Sequence, residues 1–262
     1  MLPATPLIIL GEPLIELSSI DSTNIYAISQ IMEDKAVSGS CYRADFQTHG
    51  KGQQGKVWDS EKGENLLCSY VLSLSSLKKA KELAETGTLS NQFGLSVAVS
   101  LAVSDFFSAL AGEETKIKWP NDLYWRDRKA GGILIENKIR GTEWTWSIMG
   151  IGINVNQTQF NTAQGRPVSL KQITGKSFEI KNLVHELSNL LTNRVNEWLL
   201  GGLEKMLPDY NERLFMRGQE VKFKTNQMHF SAKVVGVNKE GKLLVNNGIE
   251  QSYNFGEIIW EI

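Results

Sequence analysis

The sequence predicts an α+β protein, a mixed β-sheet packed with helices and followed by a small β-barrel. Three observations predict it. Strand-like segments recur between residues 14 and 155, and two long stretches, 92–110 and 180–200, carry apolar residues at helical spacing. Beyond Pro208 the pattern changes to short alternating segments broken by turn residues. A chain of 262 residues suits one large body with a small appendage, and the change of pattern divides it into residues 1–212 and 213–262.

The elements follow in order. Leu14 to Ile20 alternates as a strand does. Asp21 or Ser22 can then cap a helix whose Ile25, Ile28 and Met32 recur at helical spacing. Further strands are expected at Ser40–Phe46, Asn65–Leu74, Lys116–Trp125, Gly132–Lys138 and Trp144–Val155. The apolar run Gly94–Phe107 carries Ser96, Ser100 and Ser104 on one helical face and includes Asp105, which reads as a buried helix rather than a membrane span. A second amphipathic helix shows its apolar face in Leu183, Leu187, Leu190, Leu191, Val195 and Trp198. The last segments, Glu220–Phe223, Phe230–Val237, Lys242–Val245 and Glu257–Trp260, are separated by turns at Asn238–Gly241 and Asn246–Gly248.

Composition excludes several classes. Hydrophobic residues make up 41% and charged residues 22%, as in an ordinary soluble globular protein. A net charge of -1 supplies no global field for nucleic acid, so any anion must be held by a local cluster of donors. Cys41 and Cys68 form no C-x-x-C pair, and His49, His185 and His229 are scattered, which argues against structural zinc and a disulfide framework. Met1–Leu10 has no basic residue and is interrupted by Pro3 and Pro6, so no signal helix is expected. The chain is expected in the cytoplasm, without a membrane segment.

The most informative stretch is Gly50-Lys51-Gly52-Gln53-Gln54-Gly55-Lys56-Val57-Trp58, where three glycines and two lysines can turn backbone N–H groups and ammoniums toward one anion. It satisfies G-x-G-x-x-G, but a dinucleotide site needs a helix at the last glycine, and here a strand follows. A kinase needs H-R-D and D-F-G tripeptides, and the chain has neither. In a P-loop, Val57 would have to be the magnesium-binding hydroxyl residue. A solvated turn between strands is the bland alternative.

Its company decides the matter. Gln47-Thr48-His49-Gly50-Lys51-Gly52-Gln53-Gln54-Gly55-Lys56-Val57-Trp58 is similar to the biotin-binding loop of biotin protein ligases, usually Q-x-x-G-R-G-R-x-G-R-x-W. Four more motifs of that family stand in the same order: Asp21-Ser22-Thr23-Asn24, Lys118-Trp119-Pro120-Asn121-Asp122, Arg128-Lys129-Ala130-Gly131-Gly132-Ile133-Leu134 and Gly150-Ile151-Gly152-Ile153-Asn154. The chain therefore resembles the monofunctional type, because a first strand near Leu14 leaves no room for an N-terminal DNA-binding domain. The resemblance implies a catalytic domain like that of class II aminoacyl-tRNA synthetases and an SH3-like barrel after it.

It also implies a reaction. Biotin is activated by ATP to biotinyl-5'-AMP, and the biotinyl group passes to a lysine of a biotin carboxyl carrier domain. Two unit charges about 4 Å apart repel by roughly 4 kcal/mol at an effective dielectric near 20, so the first step needs cations at the site. By resemblance Lys129 reaches both the biotin carboxylate and the α-phosphate, with Lys51 and Lys56 adding charge. Asp122 could orient magnesium or accept hydrogen bonds from the incoming lysine; a plain Asx turn is its alternative. Ser22, Thr23, Asn24, Gln47, Gly50, Lys51, Gly52, Gln53 and Gly132 are assigned to biotin, although Ser22 could simply cap its helix. Lys51, Lys56, Trp58, Asn121, Lys129 and Asn154 are assigned to the nucleotide, with packing or turn roles as alternatives for Trp58 and Asn154. Magnesium is expected to come with ATP, without dedicated protein ligands.

Lys51 and Gln53 stand where arginines are usual in the family, and a glutamine cannot clamp an anion through two parallel hydrogen bonds. A lipoate-type ligase of the same fold is the runner-up, and a biotin-responsive repressor is a reading from another class. No DNA partner is expected. An exposed sheet edge could pair two copies as a homodimer or dock the acceptor, and both readings stand.

Overall fold

The computed structural model describes residues 6–75, 91–141, 143–161, 165–226 and 228–261, so the first half of the apolar N-terminal stretch lies outside the described residues. Its centre is a seven-stranded sheet in the order β1-β2-β3-β7-β6-β5-β4. These strands are β1 (Leu14–Leu17), β2 (Cys41–Ala44), β3 (Asn65–Ser73), β4 (Thr115–Lys118), β5 (Asp122–Trp125), β6 (Arg128–Arg140) and β7 (Glu143–Asn154). Only β1 and β2 pair in parallel. The sheet is mixed, as expected.

The two faces are covered unequally. Helix α1 (Thr23–Met32) lies on one face, where Ala27, Ile28 and Ile31 pack with Tyr42, Val71, Ile148 and Trp146. Ile25 and Met32 point to solvent instead, because the inward stripe runs through positions 24, 27, 28 and 31. The other face carries α2 (Asn91–Ala111), the short α3 (Leu170–Thr174), α4 (Ile180–Gly201) and α5 (Leu203–Glu212). α2 is long and apolar enough to cross a membrane by length and composition, yet here it packs against α4, α5 and the sheet. Burial of Ser100 and Ser104 shows that its serine stripe faces protein. On α4 the expected face is buried through Leu183, Leu187, Leu191, Val195 and Trp198.

Two strand boundaries in the large sheet are corrected. Lys116–Trp125 is not one strand but the hairpin β4–β5, reversing at Trp119–Asn121, with a cis peptide at Trp119–Pro120. Ile117, Trp119, Asn121 and Leu123 are all buried, so the period-2 pattern runs in phase through the reversal and hides it. Strand β6 begins at Arg128, four residues before the expected start, which puts Lys129 on the sheet rather than in a solvated charge run.

A five-stranded antiparallel sheet follows, ordered β11-β10-β9-β8-β12. It comprises β8 (Glu220–Lys224), β9 (His229–Val237), β10 (Leu243–Asn246), β11 (Glu250–Tyr253) and β12 (Ile259–Glu261). β11 was not foreseen, and β12 starts two residues late because Asn254–Glu257 forms a turn closed by Glu257 N–H donating to the Asn254 carbonyl. Residues 213–217 join both sheets: Leu214 bridges Ile117 on β4, and Arg217 bridges Val234 on β9. Trp119 donates from Nε1 to the Gly241 carbonyl at 3.0 Å, and one apolar cluster continues from the large sheet into Val221, Phe223, Val234 and Val245.

Helix α2 meets α4 where Gly94 lies under the buried Trp198 ring, so a Cβ there would overlap the indole. Gly94→Val is expected to lower unfolding stability by about 1–3 kcal/mol through overpacking, read as a reduced denaturation midpoint in urea.

Candidate active site

Beside the middle strands of the large sheet lies a cleft of 740 Å³, walled by the 50–58 loop, the β4–β5 hairpin, and Phe255 to Trp260 of the second sheet. Its floor is bare backbone. Gly132 on β6 pairs with Gly152 on β7, and Leu134 pairs with Gly150. A Cβ at Gly152 would come within 2.6 Å of the Trp58 ring, one at Gly132 within 3.2 Å, and one at Gly150 would overlap the Asn24 amide. Side chains at these three positions would fill the cleft.

At one end the start of α1 supplies buried polar groups. Ser22 occupies the N-cap position in an extended conformation but makes no capping hydrogen bond with its side chain. Gln47 does part of that work: its Oε1 accepts from Thr23 N–H at 2.7 Å and from Thr23 Oγ1 at 3.0 Å. Ser69 Oγ lies 2.8 Å from Thr23 Oγ1 and donates to Asn24 Oδ1 at 2.6 Å. Asn24 Nδ2 donates to Glu136 Oε2 at 2.7 Å and to the Leu134 carbonyl at 3.3 Å. The relay Gln47–Thr23–Ser69–Asn24–Glu136 fixes donors and acceptors that water would otherwise reorient.

At the other end are charges. Lys129 Nζ pairs with Asp122 Oδ1 at 2.7 Å and stands 5.8 Å from the centre of the Trp58 ring. A bulge at Leu123/Tyr124 sets Lys129 opposite Tyr124, two residues from Asp122, and so puts the pair on one face. Lys118 sits against Tyr124, with Nζ donating to the phenol oxygen at 3.3 Å and lying 4.9 Å from that ring and 5.8 Å from Trp260. Burial foremost, helped by the ammoniums of Lys129 and Lys56 and opposed by Asp122, pushes Lys118 down to about 8. Burial likewise raises the Tyr124 phenol, which stays protonated.

The glycine loop closes on itself. Trp58 N–H donates to the Gly50 carbonyl at 2.8 Å and Gly52 N–H to the Lys56 carbonyl at 2.7 Å, around a 3₁₀ turn at Gln53–Gly55. The structure thus brings Ser22, Thr23, Asn24, Gln47, Lys51, Gly52, Gln53, Lys56, Trp58, Asn121, Asp122, Lys129, Gly132 and Asn154 to one cleft. Gly50 is the exception. It is buried behind the loop, where a Cβ would overlap the Trp58 carbonyl.

Two assigned residues are engaged in the scaffold. The amide of Asn121 donates to the Ile133 carbonyl, and Asn154 Nδ2 donates to the carbonyls of Lys129 at 3.3 Å and Val168 at 3.2 Å. Ser69, Glu136, Phe255 and Trp260 were missed, since a polar residue at an alternate strand position and apolar residues of a distant barrel carry no local signal. Lys118 stood inside a recognised motif without a role.

Residues 16–154 match the model of the Biotin/lipoate A/B protein ligase family. The chain is 27% identical over 252 residues to the bifunctional ligase/repressor BirA of Bacillus spizizenii, covering 94% of this chain and 74% of that protein. It is 24% identical over 231 residues to the biotin--[acetyl-CoA-carboxylase] ligase of Mycobacterium tuberculosis, covering 87% and 80%. Among solved structures, the biotin protein ligase of Aquifex aeolicus in complex with biotin and ATP superposes with a TM-score of 0.76 at 24% identity, over 95% of this chain and 99% of that one. The fold is therefore that of a biotin protein ligase.

Asn24→Ala would take the Asn24 donor from the Glu136 carboxylate and leave the Ser69 hydroxyl with Thr23 alone, and is expected to cost about 1–3 kcal/mol in chemical denaturation. The relay, the floor glycines and the Lys129–Asp122 pair all fall inside the matched span, which is more than half of the sequence, and the chain belongs to the biotin/lipoate A/B protein ligase family.

Proposed function

We propose that the chain activates biotin with ATP to biotinyl-5'-AMP and transfers the biotinyl group to a lysine of a biotin carboxyl carrier protein. The observation that carries this reading is one cleft holding a buried hydroxyl and amide relay at one end and the Lys129 ammonium beside an aromatic ring at the other. A neutral bicycle with a ureido group suits the first end, and a carboxylate meeting a phosphate suits the second.

In this reading Lys129 neutralises the biotin carboxylate and the α-phosphate as they approach, and Asp122 holds the lysine at 2.7 Å. Lys51 and Lys56 add positive charge from the loop, Trp58 covers the adenine, and Gly132 admits the ligand close to backbone. Ser22, Thr23, Asn24 and Gln47 contact biotin, with Gly52 and Gln53 closing the loop over it. Asn154 acts as a positioning residue that fixes the Lys129 carbonyl, and Asn121 does the same for the Ile133 carbonyl, tying the β4–β5 turn to β6. Residues 1–212 form the catalytic body and 213–262 the small barrel, whose Phe255 to Trp260 segment completes the cleft wall.

Magnesium belongs to the nucleotide substrate. Among the described residues no group of three or more His, Cys, Asp or Glu could hold a metal, and Asp122 is engaged with Lys129. That donor set suits an ion ligated mainly by phosphate oxygens and water. The reading locates the reaction in the cytoplasm, where ATP is supplied.

Biotin-dependent exchange between ATP and pyrophosphate is the direct test, with lipoate as the competing acid. Exchange with biotin is expected, and Lys129→Ala should reduce it on the order of a hundredfold or more. Exchange undiminished in the variant would remove Lys129 from this role, and exchange with lipoate alone would overturn the choice of substrate. Gln53→Arg, which restores a two-pronged anion clamp on the loop, is expected to slow release of the adenylate, measured by dilution of preloaded protein.

A further inference from the structure

Transfer to the acceptor requires a neutral amine, yet a lysine with its ordinary pKa of about 10.4 is almost entirely protonated at pH 7. A group in the cleft must take that proton. Of the carboxylates lining the cleft, Asp122 is engaged with Lys129 and Asp59 sits on the exposed rim. No histidine lines it among the described residues.

Resting on the ligase reading above, we propose that Lys118 is the proton acceptor of the transfer half-reaction. Its amine lies in the cleft, forms no ion pair among the described residues, and is enclosed by Tyr124 and Trp260. The enclosure serves both of its states. As an ammonium, Lys118 lies within 6 Å of two ring centres and donates to the Tyr124 oxygen; as a free amine, its lone pair can accept from the Tyr124 hydroxyl across the same 3.3 Å.

The groups facing it explain why both states are accessible near neutrality. β5 contributes Asp122 and Tyr124, β6 contributes Lys129, the glycine loop contributes Lys56, and β12 contributes only the uncharged Trp260 ring. Burial and two neighbouring ammoniums outweigh the single carboxylate, which holds the amine at about 8. The negative phosphates of ATP favour the ammonium during adenylation. Departure of pyrophosphate removes that bias and frees the lone pair.

The step balances. One N–H proton of the acceptor ammonium passes to Lys118 Nζ, and the freed lone pair forms the bond to the acyl carbon. The bond from that carbon to the phosphate oxygen breaks, and its electron pair leaves with AMP. The second N–H proton goes to the departing phosphate, and Lys118 returns its own proton to solvent.

The test starts from full-length protein loaded with synthetic biotinyl-AMP and follows single-turnover transfer to a carrier domain and to hydroxylamine, whose nitrogen needs no base. Wild type, Lys118→Arg and Lys118→Met are compared from about pH 6 to about pH 10. Wild-type transfer to the carrier should level off near pH 8. In both variants the carrier-to-hydroxylamine rate ratio at pH 7 should fall about a hundredfold, and the carrier rate should keep rising toward about pH 10. A ratio unchanged by substitution, or a wild-type profile with no break before about pH 10, overturns the assignment. Wild-type protein that fails to retain biotinyl-AMP, or passes it to neither nucleophile, refutes the ligase reading instead.

Discussion

The cleft depends on a steric constraint, the strip of uncovered backbone formed by Gly132, Gly150 and Gly152 across two neighbouring central strands. The indole of Trp58 rests on two of these positions and the Asn24 amide on the third. Central strands ordinarily carry β-branched side chains that fill the space above the sheet. Here the packing density normally spent on such residues is given up locally, and the core cluster that includes Leu66, Ile151 and Ile153 compensates around it. Everything polar in the cleft, the relay as well as the Lys129–Asp122 pair, is placed around that strip.

Much of this was legible in the sequence because the motifs encode backbone requirements. Glycines at 132, 150 and 152 and the dense loop at 50–58 reported places where side chains are forbidden or anions are welcome. Their order along the chain then matched a known arrangement. The helices at 92–110 and 180–200 were equally plain, since a long apolar stripe has few other uses.

Tertiary proximity was not legible. Ser69 looks like any polar residue at an alternate strand position, and only its neighbours Thr23 and Asn24 make it part of a relay. Phe255 and Trp260 come from the other end of the chain. The β4–β5 reversal was hidden because buried residues keep odd numbers on both sides of it. For α1, the same 3.6-residue period fits two adjacent stripes, and the more hydrophobic of them, through Ile25 and Met32, proved to be the solvent side.

Residues 213–217 are stitched by backbone bridges to β4 on one side and β9 on the other. Swinging the terminal barrel away from the body would peel the edge of the large sheet, so hinge motion there is resisted by cooperative strand pairing. That wall of the cleft is therefore tied to both sheets by strand pairing, whereas the wall made by residues 50–58 is fastened chiefly to itself, through Trp58 N–H to the Gly50 carbonyl and Gly52 N–H to the Lys56 carbonyl.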